Sequence, residues 1–441
     1  MTPPPTTGGT EVVEADLTWT GEGFQSQVQV VIDPDGRIEA VGKLGRLVDR
    51  RLHGSALLPG LVSAHSHAFQ RGLRGRGEQF PQGAGSFWTW RSAMYGLVES
   101  LDAERFHRIC VRTFREMLDA GITSVGEFHY LHHAPSGEDH AFDALVLEAA
   151  AEAGIRIVLL STCYQAGGID RPLEAAQRRF ATPAGDAFWD SVDRLTEDLD
   201  PSTQTLGVAA HSVRAVPLEE IVRLHQETTR RGLVFHIHVA EQNREVEECL
   251  ERYGRPPLAL LNEELGIDGR FTAVHCTHAE PGELERFTAD GGNVCLCPLT
   301  EANLGDGILD LAPILPGHAG PAGGLCLGTD SNARISMVEE MRWLEYGQRL
   351  VSRSRGVLAD RDDGARALLE IATLGGARAI GINAGEIVPG RMADFAALDL
   401  EAPELAGLDE ESLLAGWIFG AGNSAVAETC VGGLWRARQG G

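Results

Sequence analysis

Two β-rich stretches lie near opposite ends of the chain. Polar and apolar residues alternate over residues 27–30, and the run continues through Ile32 into a turn of Asp33-Pro34-Asp35-Gly36. Residues 37–41 follow as a second strand, which completes the pattern of a β-hairpin. Near the other end, residues 393–398 and 425–435 also have the composition of strands. We expect both termini to build one small β-sandwich domain, from residues 11–57 and 385–438, after a flexible tail at residues 1–10.

Between these ends, apolar runs alternate with amphipathic helical stretches, and several of the helices end in glycine. This alternation predicts βα units around a parallel sheet. Residues 338–351 and 365–380 supply the last helices. Eight such units close a (β/α)8 barrel, which we expect over residues 58–384. The eight candidate strands are residues 56–64, 122–128, 155–161, 206–210, 233–239, 271–275, 293–297 and 325–329.

Chemically active side chains follow these candidate strands where each strand ends. The first strand runs into His65 and His67, the fifth into His238, the sixth into His275 and the eighth into Asp330. In (β/α)8 barrels the carboxyl ends of the strands surround the active site. The sequence therefore predicts that these five side chains converge at one end of the barrel.

The types of these residues favour a metal site. His65 and His67 are two positions apart, so both imidazoles project from the same face of an extended strand. A single His-x-His pair is weak evidence, but imidazoles combined with a carboxylate are the donor set of borderline divalent metals. We expect one divalent ion, with Zn²⁺ preferred and Fe²⁺ or Mn²⁺ as alternatives.

Composition narrows the class of protein. The chain has 441 residues, with 38 basic and 63 acidic side chains, for a net charge of −25, which argues against nucleic acid and anionic membranes as partners. Eight cysteines in so long a chain do not form a disulfide-dense scaffold. Neither a signal-peptide pattern nor a run of 18 apolar residues occurs, so we expect a cytoplasmic protein.

The stretch Leu-Pro-Gly-Leu-Val-Ser-Ala-His-Ser-His at residues 58–67 resembles the first-strand motif of the amidohydrolase superfamily. Residues 386–399 resemble the superfamily's usual re-entry into its terminal β domain. The resemblance implies a mononuclear hydrolase of the deaminase branch, whose metal is held by two histidines of strand one, a histidine of strand five and an aspartate of strand eight. The matching positions here are His65, His67, His238 and Asp330.

A narrower resemblance is to formimidoylglutamate deiminases, through the motifs at residues 65–71, 86–91, 127–130, 236–242 and 300–307. It implies hydrolysis of N-formimino-L-glutamate to N-formyl-L-glutamate and ammonia, a step of histidine breakdown. Asp330 would be both metal ligand and base, Glu241 would transfer protons, and His275 would stabilise the tetrahedral centre. The substrate-binding positions implied by the resemblance are Gln70, Arg91, Tyr130, His211 and Arg214.

Two alternatives remain open, and the two arginines bear on the first of them. The substrate is a dicarboxylate, and a guanidinium group binds a carboxylate through two parallel hydrogen bonds, whereas a neutral purine or pyrimidine needs no such pair. One alternative is a deaminase of another amidine or aminated heterocycle. Another is a non-catalytic barrel that acts as a binding protein. The superfamily resemblance further implies a homodimer as the common assembly.

Overall fold

The computed structural model describes residues 9–78, 85, 87–135, 140–315, 324–359 and 364–438. Residues 1–8 of the predicted tail, and Ser86 of the motif at residues 86–91, lie outside the described residues. Strands in the described part of the chain form two sheets of eight strands each. In chain order they are β1 (Glu11–Trp19), β2 (Phe24–Gln25), β3 (Gln29–Ile32), β4 (Ile38–Gly42), β5 (Arg50–Pro59), β6 (Leu61–Ser66), β7 (Ile122–His129), β8 (Arg156–Cys163), β9 (Gln204–Ser212), β10 (Phe235–Val239), β11 (Phe271–His275), β12 (Asn293–Leu296), β13 (Gly324–Leu327), β14 (Phe395–Asp399), β15 (Val426–Val431) and β16 (Leu434–Ala437).

The sheet formed by β6 to β13 is the predicted barrel. Its strands pair in parallel in the order β6 to β13, each with the next along the chain. A parallel bridge between Ser66 and Asp330 joins the two ends of the sheet. Every residue of β7 and β8 is buried, because strands of a parallel barrel are covered on both faces. The predicted (β/α)8 architecture is confirmed.

The first predicted strand, residues 56–64, is divided between the two sheets. Residues up to Pro59 belong to β5 of the terminal sheet, and β6 of the barrel begins at Leu61. Gly60 lies at the break, where an added Cβ would be 2.1 Å from Oγ1 of Thr123. Only glycine permits this close approach, and the chain changes sheets at this Pro59-Gly60 step within the apolar run.

The terminal sheet takes strands from both ends of the chain, in the order β16-β15-β14-β5-β1-β3-β4, with β2 paired to β1. Hydrogen bonds join all of these strands into one mixed sheet, in which β1 and β5 run parallel. Val13, Ile32, Leu57 and Phe395 belong to a small hydrophobic core of its own. The hairpin of β3 and β4 agrees with the sequence pattern, whereas β1 was not predicted.

Helices cover the outside of the barrel. In α2, Asp102 accepts a hydrogen bond from the Arg105 amide at the helix start, and Phe106 and Phe114 are buried. Each such aromatic contributes about 1.5–3 kcal/mol through burial. The helices are α1 (Phe87–Glu99), α2 (Ala103–Asp119), α3 (Ala141–Ala153), α4 (Asp186–Glu197), α5 (Leu218–Arg231), α6 (Asn243–Tyr253), α7 (Pro257–Glu264), α8 (Pro281–Ala289), α9 (Pro298–Leu304), α10 (Met337–Ser352), α11 (Gly364–Glu370), α12 (Gly376–Ala379) and α13 (Leu413–Gly420).

Short helical segments complete the fold. The predicted helix at residues 365–380 is interrupted, because a π-helical turn, Ile371–Gly375, separates α11 from α12. None of the described helices combines the length and the apolar character needed to cross a membrane. The 3₁₀ segments are Ala68–Leu73, Ala175–Phe180, Ala312–Ile314, Pro403–Leu405 and Asn423–Ala425.

Candidate metal centre and substrate pocket

The first and last strands of the barrel meet at the predicted ligands. The carbonyl of His65 accepts hydrogen bonds from the amides of Thr329, at 3.0 Å, and Asp330, at 3.1 Å. The amide of His67 donates to the carbonyl of Asp330 at 2.9 Å. These backbone bonds fix the two histidines and the aspartate relative to one another, so the side-chain geometry of the centre follows from the closure of the barrel.

Three imidazoles converge at this point. The Nε2 atoms of His65 and His238 are 3.2 Å apart. His67 joins them, and each of the three residues offers a nitrogen within 4.8 Å of the others. The carboxylate of Asp330 lies beside this group, with Oδ1 at 3.5 Å from His65 Nε2 and 3.3 Å from His67 Nε2. The structure thus brings all four predicted ligands together.

The hydrogen-bond partners of two rings determine which nitrogen faces the centre. Nδ1 of His67 donates to the carbonyl of Phe128, and Nδ1 of His238 donates to the carbonyl of His211, both at 2.8 Å. A neutral imidazole carries one N–H, so Nε2 of each ring presents a lone pair. Anchoring the remote nitrogen on a backbone carbonyl is the usual arrangement of metal-ligating histidines.

Burial keeps these rings neutral. It lowers the pKa of His65 to about 3, and it also lowers the pKa values of His67 and His238. Asp330 behaves oppositely: burial opposes its charge, but the surrounding imidazoles hold its pKa well below the usual range. Lone pairs and a carboxylate therefore face one another in a buried space, which is an arrangement that a divalent cation stabilises. The donor set fits one metal ion.

Glu241 and His275 lie beside this group. Nε2 of His275 is 3.8 Å from Oε1 of Glu241 and 3.9 Å from Oδ2 of Asp330. Burial raises the pKa of Glu241, although His275 and Arg214 oppose the rise. Burial would lower the pKa of His275, but the hydrogen bond to Glu301 and the nearby carboxylates raise it to about 10. A carboxyl group that gains protons readily and a cationic imidazole suit general acid catalysis.

A cavity opens above the centre. Gln70 donates to the hydroxyl of Tyr130 at 2.7 Å, which links two of the predicted substrate contacts. Most of the predicted site residues line this one cavity, and His65 lies fully buried beneath it. The predicted site residues in the lining are His67, Gln70, Arg91, Tyr130, His211, Arg214, His238, Glu241, His275 and Asp330.

The two arginines have different surroundings. Arg214 is an ion-pair partner of Glu241, at 3.2 Å, and of Glu245, at 3.1 Å, and all three side chains are buried. The partners of Arg91 within the described part of the chain are phenol oxygens, of Tyr95 at 2.6 Å and of Tyr164 at 3.4 Å. The positive charge of Arg214 is thus balanced by protein carboxylates, whereas that of Arg91 is available to an anionic ligand.

Tyr95, Tyr164 and Gln177 were missed by the sequence analysis. Gln177 is buried and donates from Nε2 to the hydroxyl of Tyr95, at 3.1 Å, and of Tyr164, at 2.9 Å. These contacts place both phenols against Arg91. Gln177 belongs to a 3₁₀ segment far along the chain from α1, so its position in the sequence gave no sign of the contact.

A second histidine cluster lies outside the cavity, around Asp143. Asp143 accepts from His132 at 2.8 Å and from His129 and His140 at 2.9 Å. Nε2 of His132 donates to the carbonyl of Thr162 at 2.9 Å. These are hydrogen-bond distances, shorter than the 3.2–3.5 Å between the donor atoms of the metal centre. The cluster, which we call the Asp143 cluster, joins β7, α3 and β8.

Comparison with known proteins decides the family. The sequence model of the amidohydrolase family matches residues 56–436. The chain belongs to the amidohydrolase family. This match confirms the resemblance carried by the motifs of the first strand.

Individual members of the family are similar to the chain over most of its length. It is 39% identical to a formimidoylglutamate deiminase of Pseudomonas aeruginosa, over 95% of this chain and 93% of that protein. It is 26% identical to a 5-methylthioadenosine/S-adenosylhomocysteine deaminase of Pelotomaculum thermopropionicum, over 91% of this chain and 84% of that one. The motifs had indicated both resemblances, to the amidohydrolase superfamily and to formimidoylglutamate deiminases.

Solved structures of the family have the same fold. A crystal structure of an amidohydrolase from Brucella melitensis has a TM-score of 0.87 and 33% identity, covering 97% of this chain and 95% of that one. An adenosine deaminase from Xanthomonas campestris, solved with bound zinc, has a TM-score of 0.81 and 24% identity, covering 99% and 94%. Because the identity to the Xanthomonas campestris protein is only 24%, this similarity shows a shared fold and nothing more.

Proposed function

We propose that the protein is a metal-dependent hydrolase that converts N-formimino-L-glutamate to N-formyl-L-glutamate and ammonia. The observation that carries this proposal is one cavity lined both by residues of the His₃Asp centre and by Arg91, whose guanidinium group has no carboxylate partner among the described residues. The 39% identity to the Pseudomonas aeruginosa deiminase supports the choice of a linear amidine. The chemistry is hydrolysis of a carbon–nitrogen bond.

His65, His67, His238 and Asp330 would hold the ion, and a divalent ion supplies a water of lowered pKa and polarises the substrate. The rings of His67 and His238 keep their orientation because the carbonyls of Phe128 and His211 fix them. Asp330 accepts one proton from the attacking water, consistent with a carboxylate that the neighbouring imidazoles keep ionised.

Glu241 carries protons to the departing nitrogen. Water adds to the formimino carbon as Asp330 takes one of its protons and Glu241 protonates the imine nitrogen, which gives a tetrahedral centre with a hydroxyl and an amino group. The proton held by Asp330 then passes to the amino group, which leaves as ammonia, while the hydroxyl proton returns to Glu241 and a formyl carbonyl remains. His275 donates a hydrogen bond to the tetrahedral centre through the nitrogen that faces Glu241 and Asp330. Arg214, at 3.2 Å from Glu241, holds that carboxylate in place.

The remaining residues bind the glutamate part of the substrate. Arg91 binds one carboxylate of the substrate, because its guanidinium group is hydrogen bonded to two phenol oxygens and not to a carboxylate of the described residues. Gln70 and Tyr130, which are hydrogen bonded to each other, contact the formimino group. His211 and Arg214 line the same cavity and would bind the second carboxylate, to which Arg214 contributes less net charge than Arg91 because Glu241 and Glu245 already balance it.

Ammonia release from purified protein tests the substrate. We expect turnover of N-formimino-L-glutamate, and little or no turnover of guanine, cytosine or 5-methylthioadenosine. The nucleoside deaminases among the relatives make these heterocycles the necessary controls. Turnover confined to the heterocycles would disprove the substrate, and the absence of both turnover and bound metal would favour a binding protein.

The identity of the metal, the assembly and the location belong to the same proposal. We favour zinc because four-coordinate nitrogen and oxygen ligation suits it, with Fe²⁺ or Mn²⁺ as alternatives. Elemental analysis should give one equivalent per chain. The β domain at residues 11–57 and 385–438, a homodimer and a cytoplasmic location complete the proposal. Limited proteolysis, light scattering and cell fractionation test these three points in turn.

A further inference from the structure

Glu301, in α9, belongs to the motif at residues 300–307 and contacts His275 on the side of the ring that faces away from the cavity. Its Oε1 accepts from the amide of Cys297 at 3.0 Å, and the same oxygen is 3.2 Å from Nδ1 of His275. Glu301 and His275 are both buried. A carboxylate with a second bond to the backbone is a fixed partner for the imidazole.

The contact decides which edge of His275 faces the cavity. With Nδ1–H donated to Glu301, the ring directs Nε2 toward Glu241 and Asp330. Without that charged acceptor, the ring is free to rotate about its bond to Cβ, and Nε2 no longer keeps a fixed direction. A misplaced N–H would leave the developing charge on the substrate without its donor.

We propose that Glu301 is a positioning residue, which orients His275 so that Nε2 points at the reacting carbon. This inference rests on the proposed function, in which His275 stabilises the tetrahedral centre. Glu301 acts through His275 and does not itself line the cavity. It therefore affects the rate of the chemical step rather than the binding of substrate.

Glu340, in α10, provides a matched control. It is also a buried glutamate that accepts a backbone hydrogen bond at the start of α9, from the amide of Leu299 at 2.9 Å. Burial raises its pKa well above the usual value, so an amide resembles its native form. A glutamate that merely stabilises α9 should behave as Glu340 does.

The test compares Glu301→Gln, Glu301→Leu and Glu340→Gln in the metal-loaded enzyme. Glu301→Gln keeps an oxygen acceptor for the Cys297 amide and should therefore fold, but it replaces the carboxylate beside Nδ1 of His275 with a neutral, weaker partner. We expect its kcat on N-formimino-L-glutamate to fall about 10- to 100-fold, with KM within threefold and metal content unchanged. Glu301→Leu should lose more activity, and Glu340→Gln should stay within twofold of the wild type.

Nitrogen NMR of histidine-labelled protein gives a readout that is independent of turnover. The Nδ1–H resonance of His275, identified by its loss in His275→Gln, should move in Glu301→Gln and stay in place in Glu340→Gln. If the wild type does not act on N-formimino-L-glutamate, the proposed function fails, and this resonance still tests the contact.

Three results would overturn the inference. The first is an unchanged kcat in both Glu301 variants. The second is an equal loss in Glu340→Gln, which would indicate a purely structural role. The third is a loss of metal in parallel with activity, which would make Glu301 part of a metal site with His275 and Cys297, whose donor atoms lie within 4.8 Å of one another.

Discussion

Individual side chains of the centre were predictable because each follows a strand, but their exact surroundings were not. The carbonyls of Phe128 and His211 orient His67 and His238, and a backbone acceptor leaves no trace in the choice of side chain. His275 and Asp330 have left-handed backbone conformations, with φ of 72° and 43°. Such conformations at non-glycine residues are rare and depend on the folded surroundings.

Arg91 gives a prediction for substrate binding. Replacing Arg91 by Met should raise KM for N-formimino-L-glutamate about 10- to 100-fold, since a hydrogen bond to a charged group contributes about 1.5–3 kcal/mol. The value of kcat should change little, because the carboxylate is far from the reacting bond. Arg171→Met is the control, since Arg171 is paired with Glu248 outside the cavity. Steady-state kinetics that show an unchanged KM in Arg91→Met would contradict this assignment.

His238 gives a prediction for the metal. We expect His238→Ala to lose most of its bound metal and to lower kcat at least about 1000-fold, because a neutral imidazole lone pair is removed from the donor set. Elemental analysis and ammonia assays measure the two effects. His107→Gln, in α2 and partly exposed, should retain both metal and activity. Full metal content in His238→Ala would place the ion elsewhere.

At the scale of elements, the eight strands of the barrel could be counted from apolar runs, but contacts between elements could not be inferred. The division between the two sheets was predicted at residues 57 and 58 rather than at Gly60, because the apolar run continues on both sides of Pro59 and Gly60. The Asp143 cluster is a second case, since crowded histidines near one strand do not reveal that a helix carboxylate lies among them. Its four hydrogen bonds, three to Asp143 and one from His132 to the Thr162 carbonyl, fix α3 against the ends of β7 and β8.

The Asp143 cluster predicts a pH-dependent effect on stability. Burial opposes charge on both partners, yet the imidazoles lower the pKa of Asp143 well below its usual range, and Asp143 raises the pKa of His132. The contribution of Asp143 is complete above pH about 4 and is lost as the pH falls through its folded pKa, whereas that of His132 is complete below about 6.5 and is lost as the pH rises through its folded pKa.

Replacing Asp143 by Asn should therefore lower the melting temperature more at pH 5.5 than at pH 9, while the metal content stays at that of the wild type. Thermal melts of the variant and the wild type at both pH values measure the difference. Asp190→Asn, in α4, is the matched control at an exposed position. An equal decrease at both pH values would exclude a charged pair between Asp143 and His132.

For the molecule as a whole, the arrangement of a barrel with a sheet built from both termini was foreseen, but not how the two are joined. Arg156 of β8 makes two hydrogen bonds to Asp394, just before β14, at 2.7 and 3.0 Å. Both residues are buried, and Asp394 also accepts from the amide of Gly432 at 2.7 Å. A buried arginine on a strand carries no sign of its partner, which lies 238 positions away.

This ion pair predicts the strength of the junction. Asp394→Leu should lower the free energy of unfolding by about 3–5 kcal/mol, because it leaves the guanidinium group buried without a partner. The double variant Arg156→Met with Asp394→Leu should recover part of that loss. Urea unfolding followed by circular dichroism measures both. Arg108→Ala removes an exposed ion pair and should have little effect. If the double variant lost as much stability as the sum of the losses in Arg156→Met and Asp394→Leu alone, Arg156 and Asp394 would not be coupled.

The bridge between Ser66 and Asp330 has a consequence for the apoprotein. The first and last strands of the barrel are hydrogen bonded to each other next to the four donor groups, so a metal ion held there would cross-link the two ends of the sheet. Removing the metal with a chelator should therefore destabilise the closure of the barrel as well as abolish activity. Amide exchange should become faster in β6 and β13 than in the strands on the opposite side of the barrel. Reloading zinc should restore slow exchange and the melting temperature together.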